Sequence, residues 1–300
     1  MISEKTNLDS QLSNTKIVAT SLIAGAVAGA LAKSAIAPLD RTKINFQVAN
    51  KKYSTKAAFR FVLETYRKDG FLALWRGNSA TMARIIPYAA IQFSSHEQWK
   101  RILSVDSGTV TKHKEKRRFL AGSLAGITSQ TLTYPLDLAR ARMAVTQKET
   151  YHSLQEVFIR IWRDEGPAAF YRGYVATILG VIPYAGVSFY TYGTLQNWIK
   201  KEFGSTNAFS NLLCGAVAGM LGQTSSYPLD IVRRRMQTSA VTGHTYDTII
   251  GTLVKVYREE GFIQGVYKGL SMNWVKGPIA VGISFATYDH IKHYLRLLLL

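Results

Sequence analysis

The first third of the chain consists of two long, weakly polar stretches that flank a short amphipathic one. Residues 17–37 are apolar apart from Lys33 and a few hydroxyl side chains, and residues 79–99 are similar apart from Arg84. Each reaches the roughly 20 residues that an α-helix needs to cross a bilayer. Between them, apolar residues recur at helical spacing over 58–66, which predicts a helix lying along a membrane interface.

Four sequence features follow one another in the same order three times. Gly-xxx-Gly comes first, Pro-Leu-Asp second, an acidic residue followed by glycine third, and a later proline fourth. The Pro-Leu-Asp triplets lie at 38–40, 135–137 and 228–230, with spacings of 97 and 93 residues. Such order at a near-constant period indicates a tandem triplication.

The triplication predicts an all-α membrane protein built from three repeats of about 95 residues. Six transmembrane helices and three amphipathic helices would surround a pseudo-threefold axis, with the Gly-xxx-Gly pairs allowing close helix approach. The alternative is a soluble solenoid of three helical units, although solenoid repeats are usually 20–50 residues long. The expected divisions are a polar tail and three repeats, at 1–16, 17–112, 113–207 and 208–300.

The charge balance narrows the function. Lys and Arg exceed Asp and Glu by 37 to 19, a net charge of +18, which points to a polyanionic partner. Because 47% of the residues are hydrophobic and only 19% are charged, a plain nucleic-acid-binding module is disfavoured.

The single cysteine, Cys214, excludes an internal disulfide and a CxxC metal site. No nucleophile–base set or metal cluster is apparent, so neither an enzyme nor a metal or other cofactor is expected.

An acid and a base stand three residues apart at the end of each odd-numbered long helix. Around a threefold axis, each acid can pair with the base of the next unit and so close one mouth of a central cavity. Solvated ion pairs contribute only about 0–1 kcal/mol each, which suits a gate that a ligand can open. Fixed structural bridges are the alternative interpretation. The predicted pairs are Asp40 with Arg140, Asp137 with Arg233, and Asp230 with Lys43.

The motif Pro-x-Asp-x-x-Lys/Arg, repeated with acidic-Gly and aromatic-Lys/Arg-Gly, resembles that of the mitochondrial carrier family over residues 17–296. The resemblance implies six helices across the mitochondrial inner membrane, surface helices on the matrix side, and one central site worked by alternating access. It also implies a matrix gate braced by glutamines. Gln47 in the first unit and Gln237 in the third match these positions, whereas Ala144 stands at the position of the second unit.

The resemblance further implies a cytoplasmic gate on the even-numbered helices, which is degraded in this sequence. Only Lys100 and Asp289 are expected to pair there, so this gate should be the weaker one. The glycines that precede the even helices match the family's cardiolipin sites, and a helix N-terminus suits a phosphate. Their other interpretation is that of simple turn residues. These glycines are Gly77, Gly173 and Gly269.

Charged residues in mid-membrane are functional candidates by default, because burying them there is costly. Lys33, Arg84, Arg234 and Lys276 are such residues. By resemblance, Arg84 and Lys276 occupy substrate contact points of the family on the second and sixth long helices. Lys33 and Arg234 are interpreted as substrate contacts, with support of the gate as the alternative.

The fourth long helix carries the remaining contact point. Gly180-Val181 resembles that of adenine-nucleotide carriers, and Tyr184 follows one turn later. A glycine leaves a slot for a flat ring, which an aliphatic and an aromatic side chain can cover. Helix packing is the alternative role of Gly180, and a place in the core is that of Tyr184.

Segments 38–48, 74–94, 180–189 and 267–285 are similar to the coenzyme A-carrying branch of the family. That resemblance implies import of coenzyme A in exchange for adenosine 3′,5′-diphosphate or adenine nucleotides. A general adenine-nucleotide carrier, of the ADP/ATP or the ATP-Mg/phosphate type, is the alternative. A non-transporting membrane scaffold is less well supported, because it does not need cations in mid-helix. A monomer is expected, with no nucleic-acid partner.

Overall fold

A computed structural model describes residues 13–105, 114–205 and 207–298. Most of the expected polar tail and the expected boundary at 112–113 lie outside these residues. In the described part the chain folds into helices, and no strand occurs. The predicted pattern of two long helices around one short helix is confirmed in all three units.

The long helices are α1, α3, α4, α6, α7 and α9, and the short ones are α2, α5 and α8. In chain order they are α1 Asn14–Val48, α2 Thr55–Asp69, α3 Asn78–Ile102, α4 Lys114–Val145, α5 Leu154–Arg160, α6 Tyr174–Phe203, α7 Ala208–Thr242, α8 Ile249–Glu260 and α9 Leu270–Leu298. Each long helix contains one proline and continues through it.

The short helices start and stop by the same chemistry in each unit. Ser54, Ser153 and Thr248 are the N-caps, and each side-chain hydroxyl accepts a hydrogen bond from the backbone N–H three residues later. A glycine at positive φ follows each amphipathic segment. A 3₁₀ turn comes next at Phe71–Trp75 and Pro167–Tyr171, whereas the third unit, one residue longer here, forms a π turn at Phe262–Val266.

The six long helices form a closed ring. The most extensive packing joins neighbouring units, namely α3 with α4, α6 with α7, and α9 with α1. The first, third and fifth long helices, which are α1, α4 and α7, also contact one another. These are called the odd helices below, and α3, α6 and α9 are called the even helices. The acid–base motifs lie in the C-terminal parts of the odd helices, so the ring brings the motifs together on its axis.

The outside of the ring is apolar. Ile23, Ile182, Phe189 and Phe285 are among many large hydrophobic side chains that stay more than half exposed. Among the described helices, two are both long and hydrophobic enough to count as membrane spans, with mean hydropathy 1.7 and 1.3; they cover Lys16–Val48 and Pro167–Phe203. An interior side chain such as Arg84 or Lys276 lowers the hydropathy of α3 or α9 without facing lipid.

Five of the six Gly-xxx-Gly glycines do not make the close packing that the sequence predicted; at the sixth, Gly25, an added Cβ would lie 4.0 Å from Tyr288 Cε2 of α9. A Cβ added at Gly29, Gly122 or Gly126 would meet nothing within 4 Å, and the same holds in the third unit. The small residues that are buried lie one position earlier, as at Ala24 and Ala28. The expectation was therefore wrong for five of the six glycines, because the buried small residues lie one position earlier on each helix.

Candidate functional site

Three acid–base pairs connect the odd helices at one end of the ring. Lys43 Nζ lies 2.7 Å from Asp230 Oδ2, and Arg233 Nη2 lies 2.5 Å from Asp137 Oδ2. Arg140 donates to Asp40 in the third pair. Each pair joins two units, so the three bonds together tie α1, α4 and α7 around the axis. That this ring acts as a gate stays a prediction.

Two of these pairs have a glutamine beside them. Gln47 Nε2 donates to Asp230 Oδ2 at 3.0 Å, and Gln237 Nε2 donates to Asp137 Oδ2 at 2.8 Å. Both glutamines are fully buried. The same amide groups also donate to tyrosine hydroxyls, that of Tyr227 for Gln47 and that of Tyr134 for Gln237.

The two tyrosines are functional residues that sequence reasoning missed. Tyr134 and Tyr227 directly precede the motif prolines, and each hydroxyl donates in turn to a backbone carbonyl, that of Arg172 or Lys268. The signal was visible as Tyr-Pro in two units and Ala-Pro, with Ala37, in the first.

The first pair, between units 1 and 2, is built differently. Ala144 occupies the glutamine position and Ala37 the tyrosine position, and both line a small cavity beside Asp40 and Arg140. The second ion-pair partner of Asp40 is Lys276, whose Nζ lies 2.8 Å from Asp40 Oδ1.

Arg84 makes the corresponding contact at the second pair. Its Nη1 lies 3.2 Å from Asp137 Oδ1, and its Nε donates to the Thr133 hydroxyl. Its Cζ lies over the Tyr88 ring, 5.1 Å from the ring centre. The structure thus brings Arg84 and Lys276, the two cations expected at contact points, against the acids of the gate motif.

The other two mid-membrane cations are placed differently from each other. Arg234 is buried and donates to Gln237 Oε1 at 2.9 Å, with Asp137 Oδ2 at 3.5 Å. It therefore belongs to the ion-pair network, the alternative role considered for it. Lys33 is exposed and lies within electrostatic range of Asp40 and Lys276.

Positive charge is in excess around the axis. Six basic side chains surround three carboxylates, so three positive charges are not neutralised by these acids. A polyanion that enters the ring meets this excess, and guanidinium and ammonium groups are the usual ligands of phosphate. The six are Lys43, Arg84, Arg140, Arg233, Arg234 and Lys276.

The expected base slot lies where α6 meets α7. A Cβ added at Gly180 would come 3.6 Å from Leu229 Cβ, so the glycine lies next to α7 with little room to spare. Val181 and Tyr184 are 50% and 41% exposed, so neither belongs to the core. The alternative that placed Tyr184 in the core is therefore not supported.

Three guanidinium groups hold the backbone of the next unit just beyond the ion pairs. Arg142 Nε donates to the carbonyl oxygen of Gln237, and Arg235 Nε donates to that of Gln47. In the first unit Asn45 stands at their position, and Arg41, one turn earlier, donates from Nε to the Ala144 carbonyl instead. Sequence reasoning missed Arg41, because it stands at a variable position of the repeated motif.

An outer layer ties the motif helices to the surface helices. Arg142 pairs with Glu165, and Glu260 accepts from both Arg235 and Lys268. Burial lowers the pKa of Lys268, and the adjacent Glu260 carboxylate offsets part of this effect. The acidic-Gly motifs therefore supply the acids of two of these clusters.

The glycines before the even helices are required by the backbone. Gly77, Gly173 and Gly269 have φ of +87°, +79° and +78°, a region that favours glycine. A Cβ at Gly77 would come 2.9 Å from the Arg140 carbonyl oxygen. This geometry supports the turn interpretation and is compatible with the expected cardiolipin role, which stays a prediction.

The expected cytoplasmic gate, at the opposite end of the ring, has fewer charged residues than the acid–base motifs. Lys100 Nζ lies 2.8 Å from Glu97 Oε1 on its own helix, and the expected pairing of Lys100 with Asp289 stays a prediction. In the second unit, neutral Gln196 donates to Asn211 Oδ1 across the α6–α7 boundary at 2.9 Å.

Comparison with known proteins matches one family three times along the chain. The family described as mitochondrial carrier protein covers residues 14–107, 113–203 and 204–297. The mitochondrial coenzyme A transporter SLC25A42 of Xenopus laevis is 60% identical over 92% of this chain and 85% of its own length. The human protein of that name is 57% identical over 93% of this chain and 89% of its own. Solute carrier family 25 member 16 of Bos taurus is 39% identical over 92% and 89%.

Proposed function

The chain belongs to the mitochondrial carrier family, and we propose that it imports coenzyme A across the inner mitochondrial membrane. In exchange, it would release adenosine 3′,5′-diphosphate or adenine nucleotides. Relatives that are named coenzyme A transporters support the substrate, since they match more than nine-tenths of this chain.

The observation that carries the proposal is the excess of cations on the axis, in contact with the gate acids. Coenzyme A carries a 3′-phosphate and a pyrophosphate, and adenosine 3′,5′-diphosphate carries two phosphates on one nucleoside. Arg84 can bind two phosphate oxygens at once, and Lys276 acts as a point charge. Amino acids and small carboxylates need fewer positive groups.

The same contacts couple binding to gating. Arg84 is bonded to Asp137 and Lys276 to Asp40, so a phosphate that draws these cations away removes one partner from two of the three gate acids. The remaining inter-unit pairs then hold the motif helices less strongly. Substrate can drive this opening only through binding free energy that differs between the closed and the open state.

Exchange follows from that coupling. The three inter-unit pairs are formed in this structure, which corresponds to a carrier closed at the motif end of the odd helices. Without a polyanion in the site, Asp40 and Asp137 keep all their partners, so the empty carrier returns slowly. We therefore expect counter-exchange to be faster than uniport.

The test is uptake of labelled coenzyme A into liposomes that contain the purified protein. The liposomes are preloaded with adenosine 3′,5′-diphosphate, with ADP or with nothing. We expect saturable uptake that needs internal nucleotide and is lost in Arg84→Ala. Arg101→Ala is the matched control, because Arg101 is an exposed arginine at the end of the same helix.

Two results would contradict the proposal. Equal rates in empty and preloaded liposomes would remove the exchange step. ADP–ATP exchange without coenzyme A uptake would assign the protein to the general adenine-nucleotide carriers instead.

We also propose that cardiolipin binds at the starts of α3, α6 and α9, where Gly77, Gly173 and Gly269 leave helix N-termini without a bulky side chain. Addition of cardiolipin should raise the unfolding temperature of the detergent-solubilised protein more than the same amount of phosphatidylcholine. Equal shifts with both lipids would contradict this site.

A further inference from the structure

Two half-buried glutamines occupy the positions in units 2 and 3 that Lys33 occupies in unit 1. Lys33, Gln130 and Gln223 each lie seven residues before the gate acid of their own helix. Residues seven apart lie on one face of an α-helix, about 10 Å apart along its axis. Because the gate acids are bonded to neighbouring units around the axis, these three side chains lie on the axial face, two turns deeper in the ring.

Each glutamine amide has a polar atom without a partner among the described residues. Gln130 Oε1 accepts from Arg84 Nη2 at 2.6 Å, but Gln130 Nε2 is buried without a hydrogen bond. Gln223 Oε1 is likewise buried and unbonded. An unsatisfied buried polar atom is destabilising, so each needs an explanation.

Gln223 lies on α7, the helix that packs against the Gly180–Tyr184 segment of α6. On the same helix, the Ser225 hydroxyl donates to the Pro183 carbonyl at 3.1 Å, and Leu229 is the neighbour of Gly180. Gln130, in contrast, lies against Arg84, one of the phosphate-binding cations. The two amides thus border different parts of the site.

We propose that Gln223 recognises the adenine base of the substrate, while Gln130 supports phosphate binding beside Arg84. This proposal rests on the proposed function, because it assumes that the cargo contains adenine. A glutamine amide offers one acceptor and two donors, and adenine presents its amino donor next to the acceptor N7. Hypoxanthine presents two acceptors at that edge, its carbonyl oxygen and N7, so it offers the acceptor Gln223 Oε1 no donor there.

The test compares adenosine and inosine 3′,5′-diphosphates as competitors of coenzyme A uptake. For the wild-type protein we expect the adenine compound to compete at roughly tenfold lower concentration, the size of one base-specific pair. Gln223→Met, which keeps the length but not the amide, should reduce this ratio to about one. Gln130→Met is the matched control: it should weaken both competitors and leave the ratio unchanged.

A wild-type measurement keeps the proposal testable if Gln223→Met does not fold. N6,N6-dimethyladenosine 3′,5′-diphosphate lacks the amino N–H donors and should also compete roughly tenfold less well than the adenine compound. Equal competition by all three nucleotides, or an unchanged ratio in Gln223→Met, would overturn the proposal for Gln223 while leaving coenzyme A transport intact. If the wild-type protein transports neither coenzyme A nor nucleotides, the proposed function fails as well.

Discussion

The boundary between units 1 and 2 and the boundary between units 2 and 3 have the same backbone plan but different side chains. At the second boundary, Asp137 accepts from Arg233, Arg84 and Gln237, with Arg234 at 3.5 Å. At the first boundary, Asp40 contacts Arg140 and Lys276, and alanines replace the glutamine and the tyrosine. The threefold repeat therefore fixes the backbone geometry of the boundaries between units, but it does not give the carboxylates at these boundaries the same set of partners.

The first boundary is reinforced elsewhere. Arg41 and Asn45 both donate to the carbonyl oxygen of Ala144, whereas a single arginine makes the equivalent bond at each of the other boundaries. The bonds at the first boundary go to backbone and do not involve the gate acid. Loss of the Asp40–Arg140 pair can thus proceed while units 1 and 2 stay attached.

The largest difference between the boundaries should appear when the acids are neutralised. Asp137→Asn leaves one buried and two partly buried guanidinium groups without their carboxylate, and breaking a buried pair by removing one partner costs about 3–5 kcal/mol. Asp40→Asn affects two basic groups, at a carboxylate that is 9% rather than 2% exposed. We expect the unfolding temperature in detergent to fall in both variants, and to fall further in Asp137→Asn.

The control for this comparison is Asp164→Asn, which removes an exposed carboxylate outside the ring. It should leave the unfolding temperature nearly unchanged, because exposed pairs contribute about 0–1 kcal/mol. Equal destabilisation by Asp137→Asn and Asp40→Asn would show that the number of partners does not set the strength of a boundary.

A smaller effect should come from the backbone contact at the first boundary. Gly77 and Gly243 both have left-handed backbone, with φ of +87° and +71°, but of the two only Gly77 faces another unit at short range. Gly243→Ala should cost roughly 1–2 kcal/mol for the left-handed backbone alone. Gly77→Ala should cost more, because its Cβ meets the Arg140 carbonyl. Thermal unfolding of the two variants measures the difference, and equal costs would rule out a role for close approach.

The sequence was sufficient to predict the helices, because the repeat places every pattern three times and errors in one unit are corrected by the others. It was wrong about Gly29 and four more of the six Gly-xxx-Gly glycines, since spacing alone does not tell which face of a helix meets a neighbour. The buried face is that of Ala24 and Ala28, one residue away.

The site was only partly predictable for a related reason. Arg84 and Lys276 were identified because a charge in mid-membrane is rare, but their bonds to Asp137 and Asp40 depend on helix positions that spacing does not determine. Neutral partners such as Tyr134 and Gln130 carry no such signal. They become visible only when the three units are aligned and their unlike residues are compared.

Removal of the glutamine at the second boundary should make it more like the first. Gln237→Ala deletes bonds to Asp137 and to the Tyr134 hydroxyl, and a hydrogen bond to a charged group contributes about 1.5–3 kcal/mol. We expect a lower unfolding temperature, measured in the same detergent. Thr131→Ala on the neighbouring helix is the control, because its hydroxyl is bonded outside the ion-pair network. An unchanged unfolding temperature in Gln237→Ala would contradict a stabilising role of Gln237 at the Asp137–Arg233 pair.

The reverse substitution at the first boundary should give the smallest change, and one of opposite sign. Ala144→Gln introduces an amide next to the small cavity beside Asp40, where Arg41 is bonded to the Ala144 backbone and not to its side chain. One added hydrogen bond should stabilise the closed state by about 1 kcal/mol. Since the open state of the proposed transport cycle gains nothing, we expect the proposed coenzyme A exchange to slow by roughly fivefold while the unfolding temperature rises. Faster exchange at a higher unfolding temperature would contradict this prediction. It would show that the strength of the gate does not limit the transport rate, and that gate strength does not explain the alanine at this one boundary.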